Sequence, residues 1–251
     1  MTASIPVQDV DLDFDNGTFD SAAFTAAALA NWQTLAAVID HSLLKPDATC
    51  KQVENLCADA ARYRFACVVV NPVWVSTAVS LLAGTGLHVG TAIGFPFGAS
   101  LVSTLRQEAA ALIRLGAREL GMVLPIGPLK SGNHDAVHHA IHAVANVAHH
   151  HGAVLKVNLE TCLLTMEEKL RASEIAIHAG ADFINTATGF ASGGATPADV
   201  ALMRGVAGAR CGVKAAGRIR TVEQVRALLE VGANRIGCSA SVAILRELGA
   251  E

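Results

Sequence analysis

A chain of 251 residues that is 52% hydrophobic and only 16% charged must bury a large core, which excludes a disordered chain. Its formal net charge of −3, without a basic block, excludes the electrostatic footprint of a nucleic-acid binder. No apolar run reaches the roughly 18 residues of a membrane span, and the start of the chain lacks the basic and apolar stretches of a signal peptide.

Residues 1–35 read as a separate extension. Asp9, Asp11, Asp13 and Asp15 alternate with apolar residues and precede Asn16-Gly17. The spacing resembles a calcium loop, but the glycine comes one place late and Ala22 stands where a glutamate is needed, so a solvated segment is expected. It leads into a helix over about Ser21–Leu35. From there short β-rich runs alternate with helical patterns: Ala36–Asp40, Phe65–Asn71, His88–Gly94, Arg118–Leu124, Val154–Glu160, Asp182–Thr186, Cys211–Ala215 and Asn234–Gly237. Between them, stretches such as Cys50–Arg62 and Met166–His178 repeat apolar positions every three or four residues, the spacing of a helix face. Gly-Ala pairs at 116–117, 152–153, 180–181 and 232–233 each precede a strand, the glycine placed to cap the preceding helix. Regular β-α alternation implies parallel strands, and eight units predict a single (β/α)8 TIM barrel over residues 36–251. A doubly wound open sheet is the alternative.

The six cysteines follow no zinc-like spacing and read as free thiols of a reducing cytoplasm. His134, His138, His139, His142, His149, His150 and His151 include the i, i+4 spacing of a metal site, but they fall on a helix expected to face solvent. Neither a metal nor a cofactor is called for. Cys162 and Cys238 read as small core residues.

Six blocks carry a stronger signal: Ile39–Thr49, Ile93–Ala99, Gly127–Gly132, Leu159–Thr165, Thr188–Phe190 with Gly193–Thr196, and Arg235–Ala240. In this order they resemble the deoxyribose-phosphate aldolases, from about residue 36 to 245. The resemblance implies an aldolase barrel in which one lysine forms a Schiff base with the substrate. A second lysine depresses the pKa of the first, and an aspartate assists proton transfer. An amine must be neutral to attack a carbonyl, which is why a neighbouring ammonium helps.

Carried over residue by residue, the scheme breaks twice. The Schiff-base position, in Asp182–Phe190, is Asn185, and an amide does not condense with an aldehyde. The family pattern Ala-Asp-Glu-Val-Asp-Met reads Ala117-Arg118-Glu119-Leu120-Gly121-Met122, so the catalytic aspartate is replaced by Gly121. The second lysine survives as Lys214. Asp40 and Lys156 match polar pocket positions, and strand alternation puts Lys156, Asn158 and Glu160 on one face, expected to be the barrel interior. With Asn185 in place of its partner lysine, Lys214 is expected to lack a neighbour that depresses its pKa, and to pair with Asp40 or Glu160. Gly189, Gly217 and Ser239 match the family's phosphate end, where a helix N-terminus could hold an anion. Arg218 stands in place of a glycine there and alters that site toward phosphate or carboxylate.

These residues point to a repurposed barrel enzyme acting on a small carbonyl compound, phosphorylated or carboxylated, by aldol, retro-aldol or condensation chemistry centred on Lys214. Asp40, Asn185, Lys156 and Glu160 are the other catalytic candidates. Gly189, Gly217, Arg218, Ser239 and Asn158 are the binding candidates. A non-catalytic ligand-binding descendant is the second reading, and a conventional deoxyribose-phosphate aldolase of weak activity the third. The resemblance also implies a homodimer.

Overall fold

Every strand predicted from the sequence is present in the computed structural model, which describes residues 18–251. The strands are β1 (Ile39–Leu43), β2 (Cys67–Val70), β3 (His88–Ile93), β4 (Glu119–Val123), β5 (Val154–Asn158), β6 (Phe183–Asn185), β7 (Gly212–Ala216) and β8 (Arg235–Cys238). All pair in parallel with their sequence neighbours, and β8 returns to β1 through the Ile39–Ile236 and Asp40–Gly237 partners, closing a (β/α)8 barrel. The open-sheet alternative is thereby excluded.

Around the barrel run α3 (Cys50–Tyr63), α4 (Val75–Leu81), α5 (Val102–Arg114), α6 (Ile126–Lys130), α7 (His134–His150), α8 (Met166–His178), α9 (Pro197–Ala207), α10 (Val222–Glu230) and α11 (Ser241–Glu247). Their starts follow from capping chemistry. Thr49 with Gln52, and Thr165 with Glu168, form reciprocal capping boxes that satisfy the first free N–H groups of α3 and α8. Along the strands, one set of side chains faces these helices: Ile39, Val68, Val89, Leu120, Leu155, Ile184, Val213 and Ile236 are all buried there. The alternate set faces the barrel axis and includes Asp40, Glu119, Lys156, Asn158, Asn185, Lys214 and Arg235.

Two local expectations are corrected. The helix expected over Ser21–Leu35 is two, α1 (Ser21–Ala28) and α2 (Trp32–Ala36), because Asn31 leaves helical geometry and caps α2 through the Thr34 N–H. The same cap holds the chain helical through Ala36, so β1 begins at Ile39 rather than in the apolar run before it. Helix α1 packs on α10 and α2 on α11. The aspartate-rich stretch weighed as a calcium loop lies outside the described residues. Among the described residues, no helix is long and apolar enough to cross a membrane.

Candidate active site

A cavity of about 720 Å³ opens among the loops that follow the C-terminal strand ends, the face where barrels of this architecture place their chemistry. Its floor is built from inward-facing strand residues and its mouth from loop residues. Phe95 and Phe190 meet edge to face at the mouth, ring centroids 5.1 Å apart.

The floor is an ion network. Asp40 on β1 accepts from Lys156 of β5 at 2.6 Å and from Lys214 of β7. The Nε of Arg235 from β8 lies 3.0 Å from the other Asp40 oxygen, a charge contact without hydrogen-bond alignment. Glu119 on β4 receives Lys156 and, at 2.9 Å, Arg235. All five groups are buried or nearly so, and three cations face two carboxylates. Buried charges persist only when paired in this way. Glycine makes room for it: a Cβ on Gly237 would sit 2.6 Å from Lys214 Cε, so a side chain on β8 at that point would force Lys214 to shift from its present path to Asp40.

The network sorts the two lysines. Burial pushes the Lys156 ammonium down, but Asp40 and Glu119 outweigh it and hold its pKa above the ordinary value. Burial also pushes Lys214 down. Here Asp40 alone opposes it, while Lys156 and Arg235 add like-charge repulsion, so its pKa falls below the ordinary value. The expectation that nothing depresses Lys214 is thus corrected, since the missing neighbour is replaced by burial, Lys156 and Arg235. Burial raises Asp40, and the cations Lys156, Lys214 and Arg235 overcome that to hold it at about 2. Glu119 and Arg235 were not singled out from sequence. Their signal was a charged residue on the inward face of a strand, two places before Gly121 and Gly237 respectively.

Asn158 and Asn185, paired across β5 and β6, line the cavity beside this network. Gly121 also lines it, and leaves open space where the resemblance implies an aspartate: a Cβ there would meet nothing nearer than Thr91 O at 3.5 Å. At the mouth lie Gly189, Gly217, Arg218 and Ser239, with Lys45 and Arg220 adding further positive charge. Arg218 adopts φ of +63°, the left-handed backbone that favours glycine.

Glu160 departs from its expected place. Strand β5 ends at Asn158, and Glu160 turns with φ of +56° so that its carboxylate accepts from the N–H and hydroxyl of Thr188. It is absent from the cavity lining and pairs with neither lysine; it positions the loop after β6. The strand pleat on which the expectation rested stops two residues earlier. The seven histidines lie exposed on α7 and its C-terminus, clear of the cavity. All six cysteines are unpaired; Cys238 is buried as expected, whereas Cys162, expected in the core, is exposed on the turn after β5. Cys67, Asp40 and Glu119 cluster within metal-binding distance of one another, but Lys156, Lys214 and Arg235 engage the carboxylates and burial raises the thiol pKa, so the trio belongs to the ion network.

Residues 34–247 match the model of the family described as DeoC/LacD family aldolase. A deoxyribose-phosphate aldolase of Geobacillus sp. (strain WCH70) is 50% identical over 211 residues, covering 84% of this chain and 94% of that one. One from Listeria monocytogenes is 50% identical over 212 residues, covering 84% and 95%. The deoxyribose-phosphate aldolase of Aeropyrum pernix, described as a tetramer, superposes with a TM-score of 0.84 at 31% identity, covering 91% of this chain and 96% of that one.

Proposed function

Because the chain belongs to the DeoC/LacD aldolase family, we propose that it is a carbon–carbon lyase that acts on a small carbonyl compound through the amine of Lys214, and that deoxyribose 5-phosphate is not its efficient substrate. One observation carries this reading: of the two lysines on the cavity floor, Lys156 is held by both Asp40 and Glu119, whereas Lys214 has Asp40 alone and its pKa lies below the ordinary value. A neutral amine adds to an aldehyde or ketone, and loss of water leaves an iminium. The Asp40 carboxylate beside the Lys214 Nζ favours that positive product electrostatically. Lys156, held by both carboxylates, sets the field rather than reacting. With Gly121 in place of a carboxyl, proton transfer beyond the iminium runs through water.

Arg218, Lys45 and Arg220 at the mouth suit a substrate that carries a phosphate or carboxylate. Gly189, Gly217 and Ser239 supply the rest of that anion site. We place the reaction among aldol, retro-aldol and related condensations, with the chain acting as a homodimer in a reducing cytoplasm. Replacement of the family's nucleophile and acid together supports a second reading, a non-catalytic ligand-binding protein.

The two separate by borohydride trapping with a panel of small aldehydes and ketones, followed by intact mass and peptide mapping. A reduced adduct on Lys214 is expected. No adduct from any compound would remove iminium chemistry and favour the binding protein.

A further inference from the structure

Helix α7 carries a group of imidazoles on its outer face that the cavity chemistry does not use. His142 lies four places after His138 and three after His139, the spacings at which side chains on one helix face meet. All three are exposed. Asp135 closes the group one turn earlier, three and four places before His138 and His139. His149 is already engaged, its Nε2 lying 3.0 Å from Asp182 Oδ2, whereas His138, His139 and His142 have no such partner among the described residues. The spacing alone fits His134 with His138 equally well; the structure selects His138 with His142, whose rings lie 5.6 Å apart between centroids and within 20° of parallel. A metal ion about 2.0–2.1 Å from one nitrogen of each ring holds two centroids roughly 5–6 Å apart. Chelation therefore needs the rings turned about their Cβ–Cγ bonds, with the helix backbone left in place. His139 and His142 also border a groove of about 540 Å³ against Arg106 and Ala110 of α5, which leaves room for water on the ion.

We propose that His138 and His142, with His139 as third ligand, bind one divalent transition-metal ion of the class that prefers imidazole: Zn²⁺, Ni²⁺ or Cu²⁺. Neutral ring nitrogens suit these ions, whereas Mg²⁺ and Ca²⁺ take oxygen ligands. Asp135 offsets part of the ion's charge, and water completes the coordination. The site lies on the outside of the barrel, clear of the cavity, and does not depend on the reaction proposed there. An ion held only by the folded helix also stabilises the fold by mass action.

Calorimetric titration of the untagged full chain with Ni²⁺, and with Mg²⁺ as the contrast, tests the site directly. Ni²⁺ is expected to bind and Mg²⁺ to give no heat. His138→Gln and His142→Gln should each weaken Ni²⁺ binding at least about tenfold, and His139→Gln by less. His150→Gln, elsewhere on the same groove, and Cys50→Ser with Cys162→Ser, which removes the exposed thiols, should leave it unchanged. Saturating Ni²⁺ should raise the Tm of the parent and not that of the His138→Gln, His142→Gln double variant. These positions are exposed, so the substitutions leave the core intact. Failure of Ni²⁺ to bind at millimolar concentration overturns the proposal. So does undiminished binding by His138→Gln or His142→Gln, or a loss that follows His150→Gln or the cysteine variant instead, since the ion would then sit elsewhere.

Discussion

Asn185→Lys, alone and combined with Gly121→Asp, tests how the two replacements divide the chemistry. A third amine, and a fourth cation, on the floor would join Lys156, Lys214 and Arg235 against Asp40 and Glu119, and like charges at this range depress an amine pKa. The single variant is therefore expected to form a trappable iminium with acetaldehyde. Proton transfer is what it still lacks, and a positioned general acid–base is worth about 10²–10⁴ in rate. Gly121 can accept the carboxyl, because its Cβ would stand at ordinary contact distance, 3.5 Å from Thr91 O and 3.7 Å from Asn158 Nδ2, and its φ is not left-handed. Acetaldehyde release from deoxyribose 5-phosphate, measured alongside borohydride trapping, should show the double variant turning over about 10²–10⁴ faster than the single one. Equal turnover by the two variants would refute the assignment of the missing proton-transfer step to Gly121. Absence of an adduct in both would show that the amine is not activated by the network.

Asp40→Asn, which leaves Lys214, Lys156 and Arg235 without their shared carboxylate, is expected to destabilise the fold by about 3–5 kcal/mol. Lys214→Met removes the surplus cation and is expected to stay within about 1 kcal/mol of the parent or exceed it, while abolishing the borohydride adduct. Urea titrations of both decide the point. His41, stacked on Phe65 at 4.6 Å and 3.0 Å from Ser241 Oγ, has its pKa pushed down to about 4 by burial. The unfolded chain therefore binds a proton that the folded chain refuses between about pH 6.5 and 4. Stability should fall by about 3 kcal/mol as the pH drops through that window and level off below it, and His41→Gln should flatten this part of the profile. Arg218→Gly relieves a left-handed backbone worth about 1–2 kcal/mol, less the added chain entropy of glycine, for a net gain of about 1 kcal/mol. The same change should weaken inorganic phosphate binding, and a denaturant melt with a phosphate titration reads both.

The alternation of strand and helix, the barrel it implies and the family membership were legible in the linear chain, because strand periodicity and family motifs are local properties. Several cavity residues were legible for the same reason: Lys156 and Asn158 share a face of β5, and Lys214 shares a face of β7 with Gly212. Short-range competition blurred the rest. Ala36 reads as strand by composition but belongs to a helix fixed by the Asn31 cap. Glu160 continues the alternation of Lys156 and Asn158 in sequence, yet the pleat has ended there and its carboxylate holds Thr188 instead.

What the sequence alone determined is therefore the architecture, the membership and part of the set of side chains that face the axis, Lys156, Asn158 and Lys214 among them. Only the tertiary structure decided what those side chains do to one another. Arg235 and Glu119 are 116 positions apart, and Lys214 and Asp40 are 174 apart. They meet because β8 pairs with β1 and closes the barrel. The depressed Lys214 pKa and the two cations that flank its carboxylate exist only after that closure. Charge interaction depends on separation in space, and no reading along the chain contains that distance.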